Sequence, residues 1–198
     1  MSVEAITEAD ASAPKPHVYA SCTYDSPLGT ITLAAGDDGL KGLWFDGQRY
    51  FAGTLNAPME SADPASNVHL AAACAWLDAY FAGENPDIAR LSLAPLGSAY
   101  LQVVWQLLRE IPYGQVRTYG EIAQEAARRM GKPKGSARAV GGAVGHNPIS
   151  IIVPCHRVVG ASGSMTGFGG GISRKLALLE HEGVDCSAFY VPKYSTAP

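Results

Sequence analysis

The sequence has no apolar run approaching the roughly 18 residues that a membrane-spanning helix needs, so a helical span is excluded. Residues 1–16 have neither a basic start nor an apolar centre, which argues against a secretory leader; this polar, Ala/Pro-rich stretch reads as a disordered arm. Cysteine is sparse and scattered, at Cys22, Cys74, Cys155 and Cys186, and no C-x-x-C spacing occurs. That excludes a zinc finger or ribbon, and no metal is expected, at Cys22 and His17 included. Without a secretion signal the expected compartment is the reducing cytoplasm, where a thiol is free to act as a nucleophile. The phosphate-binding pattern G-x-x-x-x-G-K-[ST] is also missing.

The chain also lacks a strong net charge, but its formal −3 hides a split. Residues 1–98 carry four bases against twelve acids, whereas residues 99–183 carry ten bases against five acids. Such a division points to a polyanionic partner for the second half only.

The first half reads as antiparallel strands followed by a helix. Thr30-Ile31-Thr32-Leu33 alternates, Gly36-Asp37-Asp38-Gly39 is a turn, and Leu40 to Phe45 resumes extended chain. Residues 46–65 read as loop. Leu70, Cys74, Leu77 and Phe81 share one face of a helix expected over 67–82, with Gly83 as its stop. Prolines and glycine over 84–97 suggest a linker.

The second half reads as helices. Ser98 can cap one running to about Glu110, with Tyr100, Val103, Val104, Leu107 and Leu108 as its apolar face. Thr118-Tyr119-Gly120-Glu121 fits a capping box, opening a helix that Gly131 stops. After a Lys132-Pro133-Lys134-Gly135 turn, Ser136 opens a short Ala/Gly-rich helix. This is a helix-turn-helix pattern. Its small second helix suits close approach either to its own core or to DNA. The bases Arg128, Arg129, Lys132, Lys134 and Arg138 favour DNA. A loop with six glycines between Gly160 and Gly171 follows, and Ser173 is the expected cap of a last helix ending near Glu182. A carboxylate there faces the negative end of the helix dipole, which hints that Glu182 has another partner, such as a histidine.

Between these helices lies Ile149 to Val159, read as a buried extended run with Cys155, His156 and Arg157 in its middle. One reading is a packed core cysteine beside incidental polar residues. The other is a reactive centre, because buried polar groups are costly without partners or a task. A thiol needs help to ionise near neutrality. Adjacent residues of extended chain point to opposite sides, so His156 cannot simply pair with Cys155. A Cys–water–His–Glu relay ending on Glu182 is the expected alternative.

Asn147-Pro148-Ile149, Arg138-Ala139-Val140-Gly141, Pro154-Cys155-His156-Arg157-Val158 and the Gly-rich loop resemble the methylated-DNA–protein-cysteine methyltransferases, the O6-alkylguanine-DNA alkyltransferases. Ile111-Pro112-Tyr113-Gly114, Thr118 to Glu121 and Leu178 to Gly183 extend the resemblance to about residues 17–183. It implies an α/β N-terminal domain, a small antiparallel sheet plus helix of ribonuclease-H-like type, over 17–92. A linker at 93–98 leads to a mainly α, helix-turn-helix, winged-helix-like DNA-binding and alkyl-acceptor domain over 99–185, with a tail over 186–198. The implied activity is single-turnover transfer of the alkyl group from O6-alkylguanine, and O4-alkylthymine, in double-stranded DNA to Cys155. Base flipping is implied and no cofactor is needed. A monomer working beside the nucleoid of a bacterial cytoplasm is expected.

By the same resemblance Cys155 is the acceptor, His156 its water-linked base, Glu182 the acid behind it and Asn147 the brace of the turn. Tyr119 faces the guanine N3 side, and Val158, Phe168, Gly169 and Lys175 complete the substrate set. Arg138 fills the space of the flipped nucleotide, with Thr118, Ser136, Ala137, Ala139 and Gly141 also against DNA in the minor groove. Phe168 stands where many relatives have Tyr, and the turn around Arg128 to Lys134 is longer than in compact relatives. Two other classes compete: a non-catalytic binder of alkylated DNA, whose known examples have Trp in place of the cysteine, and a cysteine hydrolase, which needs a histidine on the thiol's own side.

Overall fold

The computed structural model describes residues 17–192; the arm at 1–16 and the tail end at 193–198 lie outside the described residues. Strands β1 (Tyr19–Ser26), β2 (Gly29–Gly36) and β3 (Gly39–Phe45) form an antiparallel meander. A short β4 (Met59–Ser61) adds to β1 in parallel, so the sheet has order β3-β2-β1-β4 and is mixed rather than purely antiparallel. The segment read as loop over 46–65 hid this strand, because three residues are too few to show a period.

Helix α1 (Val68–Phe81) begins at Asn67, whose side chain accepts from the backbone N–H groups of His69 and Leu70. Its buried stripe is Leu70, Ala73, Trp76, Leu77 and Tyr80; Cys74 and Phe81, assigned to the face from sequence, are only half-buried. A face read from i+4 and i+7 steps alone drifts, and the large aromatic rings at Trp76 and Tyr80 turn the helix toward themselves.

Helix α2 (Ala99–Arg109) starts at Ser98 and buries Val104, Trp105, Leu107 and Leu108. Trp105, absent from the expected face, donates from Nε1 to the Ala143 carbonyl at 2.9 Å. A two-residue strand β5 (Arg117–Thr118) leads into α3 (Tyr119–Arg129), where the Thr118/Glu121 capping box is fully formed. Helix α4 (Ala137–Gly145) begins at Ser136. The intervening turn lets α4 close on α3 because a Cβ at Gly135 would lie 1.9 Å from the Ala123 carbonyl oxygen. Strand β6 (Val158–Val159) pairs in parallel with β5, and α5 (Ile172–His181) closes the fold. The cap of α5 is Gly171, not Ser173, which lies inside the helix.

Residues 92–94, within the stretch read as a linker, hydrogen-bond to Leu40 on both sides, so this segment is stitched to β3. Tail residues through Tyr190 are also docked, with Met165 N–H donating to the Tyr190 carbonyl and Phe189 packing near Val159, Met165 and Leu179.

The β3 edge carries the active-site region as well. Leu43 N–H donates to Pro148 O at 2.8 Å, and Ser150 N–H donates to Leu43 O at 2.9 Å. An exposed strand edge presents unpaired backbone groups; here the second half of the chain satisfies them. One hydrophobic cluster accordingly runs from Leu33 and Phe45 through Leu77 to Val104, Val140, Ile149 and Cys155.

Candidate active site

The run from Ile149 to Val159 is buried, but it is not a strand. After Ser150 the chain turns at Ile151, whose φ of 67° is a left-handed conformation that a β-branched residue rarely adopts. Cys155, His156 and Arg157 then form a single 3-10 turn, and only Val158 and Val159 are extended. The strain at Ile151 is on the order of 1–3 kcal/mol. Asn147 over-determines the turn. Its Nδ2 donates to Val153 O (2.8 Å), Ile149 O (3.3 Å) and Cys155 Sγ (3.0 Å), while its Oδ1 accepts from Ile149 N–H (3.1 Å).

Cys155 is 3 % exposed. Burial raises its pKa, against the opposing pull of the Asn147 amide and the nearby Lys175 charge, so the resting group is a thiol. His156 is fully buried, and burial lowers its pKa despite the Glu182 carboxylate, so it is neutral. Its Nε2 lies 2.7 Å from Glu182 Oε1, which fixes the proton on that nitrogen. The other nitrogen, Nδ1, is buried and has no hydrogen-bond partner among the described residues.

Glu182 is the hub. Burial alone would raise its pKa, but the hydrogen bonds from His156 and Arg157 and the charge of the Arg157 guanidinium outweigh it and hold the carboxyl at about 2. Arg157 donates from Nε to Oε2 (2.8 Å) and from Nη2 to Oε1 (2.9 Å), and its Nη1 donates to the Ile111 carbonyl. Arg157 thus serves the acid. The helix-dipole misfit at Glu182 has its explanation in these partners.

A cleft of about 660 Å³ reaches this network through Phe168; Cys155, His156, Asn147 and Glu182 themselves do not line it. Its walls bring together Thr118, Tyr119, Ala137, Arg138, Gly141, Phe168 and Gly169 from the expected set. Phe168 is 1 % exposed and meets His156 edge-on. Tyr119 Oη donates to the Thr166 carbonyl at 2.8 Å, and burial raises its pKa, so it keeps its proton. A Cβ at Gly167 would come within 2.4 Å of that hydroxyl, so only glycine fits there.

Ser136 and Ala139 flank the cleft on α4 without lining it; Ser136 Oγ accepts from Ala139 N–H. Val158 is buried in β6 and is also off the lining. Lys175 departs further from expectation. It is completely buried and donates to the carbonyls of Val158 and Thr166, bracing the loop from behind. Burial lowers its pKa to about 8.

Sequence reasoning missed Arg49, Tyr50 and His146 in the cleft wall. The Tyr50 ring stacks on His146 with centroids 3.9 Å apart, the Arg49 guanidinium lies over the Tyr50 ring, and Arg49 N–H donates to Gly169 O. A single tyrosine in a polar loop carries no period, and Tyr50 holds a left-handed φ of 61° that residue type alone does not announce.

The basic cluster is also partly spent internally. Arg129 binds Glu110 and Glu125, and Arg128 binds Glu125. Among the described residues no ion pair holds Lys132, Lys134 or Arg138.

The ribonuclease-like domain of 6-O-methylguanine DNA methyltransferase matches residues 19–95, and its DNA-binding domain matches residues 99–184. The chain is 48 % identical to the methylated-DNA–protein-cysteine methyltransferase of Mycobacterium tuberculosis strain H37Rv over 160 residues, covering 81 % of this chain and 90 % of the relative. It is 40 % identical to that of Haemophilus influenzae over 159 residues, covering 80 % and 83 %. Among solved structures, Mycobacterium tuberculosis OGT in complex with DNA superposes with a TM-score of 0.67 at 44 % identity, over 84 % of this chain and 92 % of the other. The O6-methylguanine-DNA methyltransferase of Pyrococcus kodakaraensis shares the fold at 22 % identity, with a TM-score of 0.56. With both halves matched in order and Cys155 within the second, the chain belongs to the methylated-DNA–protein-cysteine methyltransferase family of DNA-repair enzymes.

Proposed function

We propose that the protein takes the alkyl group from O6-alkylguanine in double-stranded DNA onto Cys155 and keeps it, so that each chain acts once. The observation that carries the reading is the buried Cys155 thiol gripped by Asn147, beside a neutral histidine whose Nε2–H is fixed on Glu182. A resting thiol needs a base, and the lone pair of His156 Nδ1 is the available one. A water between Sγ and Nδ1 carries the proton. The S–C bond forms as the C–O6 bond breaks, guanine leaves with the electron pair, and it is neutralised by a proton. No cofactor is needed in this balance.

A thiol this deep is out of reach of a stacked base, so the nucleotide leaves the helix to enter the cleft. Arg138, at the start of α4 and on the cleft rim, fills the space left behind. Tyr119 transfers its hydroxyl hydrogen bond from the Thr166 carbonyl to the base. Thr118, Ser136, Ala137, Ala139 and Gly141 present a small-residue surface to the groove, while Phe168 and Gly169 line the base site. Val158 and Lys175 act from behind, as supports. O4-alkylthymine enters the same cleft. The protein works as a monomer.

The test is a short duplex bearing one O6-methylguanine, mixed with the protein and followed by intact mass and peptide mapping. One methyl on the peptide containing Cys155, with no second turnover, is expected. Tight lesion binding without a mass change would replace this reading with that of a lesion binder.

A further inference from the structure

Glu182 Oε1 accepts three hydrogen bonds: from His156 Nε2 (2.7 Å), Arg157 Nη2 (2.9 Å) and the phenol of Tyr80 (2.9 Å). Oε2 accepts from Arg157 Nε (2.8 Å) and Gly114 N–H (3.2 Å). Tyr80 is the donor that comes from the N-terminal half, on the last turn of α1. It is completely buried, stacked on Trp76 with centroids 5.3 Å apart, and set edge-on to Tyr113. Its carbonyl also takes a hydrogen bond from His181 Nε2 at 2.7 Å. The end of α1 therefore holds the end of α5 at two adjacent points. Burial and the Glu182 charge raise the phenol's pKa, so it is a donor at every working pH.

We infer that Tyr80 is a positioning residue for the alkyl transfer: its hydroxyl stabilises the Glu182 carboxylate, limits the pull of that carboxylate on the His156 proton, and so sets the pH at which His156 can accept the proton of Cys155. The inference rests on His156 being the base. The sign follows from the sharing of charge. Each donor on Oε1 disperses the negative charge that His156 feels. Removing one makes Glu182 a stronger acceptor, favours imidazolium, and withdraws the neutral base as pH falls. The other charged or titratable groups facing the pair are Arg157, Lys175, Tyr113, His181 and Cys155. All of them persist when only the phenol oxygen is removed.

The experiment is the pH profile of single-turnover alkyl transfer from O6-benzylguanine free base, for the full chain and for Tyr80→Phe. The free base keeps DNA binding out of the profile. The acid limb is expected to move up by about half to one pH unit, with the plateau rate at high pH within about twofold of the unmodified chain. Tyr80→Met is the second variant should the ring-retaining one fail to fold. Superposable profiles, or an equal fall in rate at every pH, would overturn the role of Tyr80. Glu182→Gln separates the two levels. If it shifts the limb while both Tyr80 variants do not, Tyr80 alone is misassigned. If Glu182→Gln leaves the limb where it was, the relay itself fails and the role of Tyr80 fails with it.

Discussion

Glu182 shows how a single side chain connects stability to chemistry. Its carboxyl has an ordinary value of 4.5 and is held at about 2 in the folded protein. A depressed folded pKa contributes stability that is fully present above the unfolded value and lost as pH falls through the folded one. Most of the loss therefore falls between about pH 4.5 and pH 2. Between pH 6 and pH 3 the loss from this group is about 2 kcal/mol. Urea unfolding at the two pH values should show that extra loss in the unmodified chain relative to Glu182→Gln. Equal losses in the two proteins would mean the carboxylate is not held as described. The sequence hinted at this group because a carboxylate at a helix C-terminus is misplaced. It did not reveal that Arg157, adjacent in sequence to the Cys155–His156 pair, turns toward Glu182. Direction on a 3-10 turn depends on backbone angles that residue types alone do not state.

At the scale of elements, the helix-turn-helix was the most legible part of the chain. Ser98, Thr118 and Ser136 all cap the helices they were expected to cap, because a cap is a local hydrogen bond between near neighbours. Helix α4 brings Arg138 to the cleft rim with small residues beside it. Arg138→Ala should slow repair of a duplex by a factor on the order of 10–100, since unstacking costs a few kcal/mol. Reaction with O6-benzylguanine free base should be unchanged. An equal fall on both substrates would show that Arg138 acts on the thiol site and not on flipping. The strand reading of Ile149 to Val159 failed at this scale. β-branched residues favour extended chain, but the side-chain amide of Asn147 supplies the hydrogen bonds of a turn and holds Ile151 in the left-handed region.

At the scale of the molecule, the two halves share one core, one strand edge and one carboxylate. The charge split survives in part, since Arg128 and Arg129 are engaged by Glu110 and Glu125. With Lys132, Lys134 and Arg138 as the available phosphate contacts, the slope of log affinity against log salt on undamaged duplex should be near −3 (about −0.9 per contact). Fluorescence anisotropy between low and moderate salt measures it. A flat response would remove the basic face from DNA binding, and a slope near −5 would show that both arginines leave their carboxylates for phosphate.

What the sequence determined by itself was most of what near neighbours and unusual residues in unusual places carry: the helix starts at Ser98, Thr118 and Ser136, the Cys155-His156 pair in an apolar run, and the helix-end misfit of Glu182. What only the tertiary structure decided was everything made by residues far apart in the chain. Tyr80 lies 102 positions from Glu182, Gln48 lies the same distance from Ser150, and Tyr50 meets His146 across the two halves. Such contacts leave no periodicity and no motif. They arise because the β3 edge needs partners, and the backbone on either side of Ile149 supplies them.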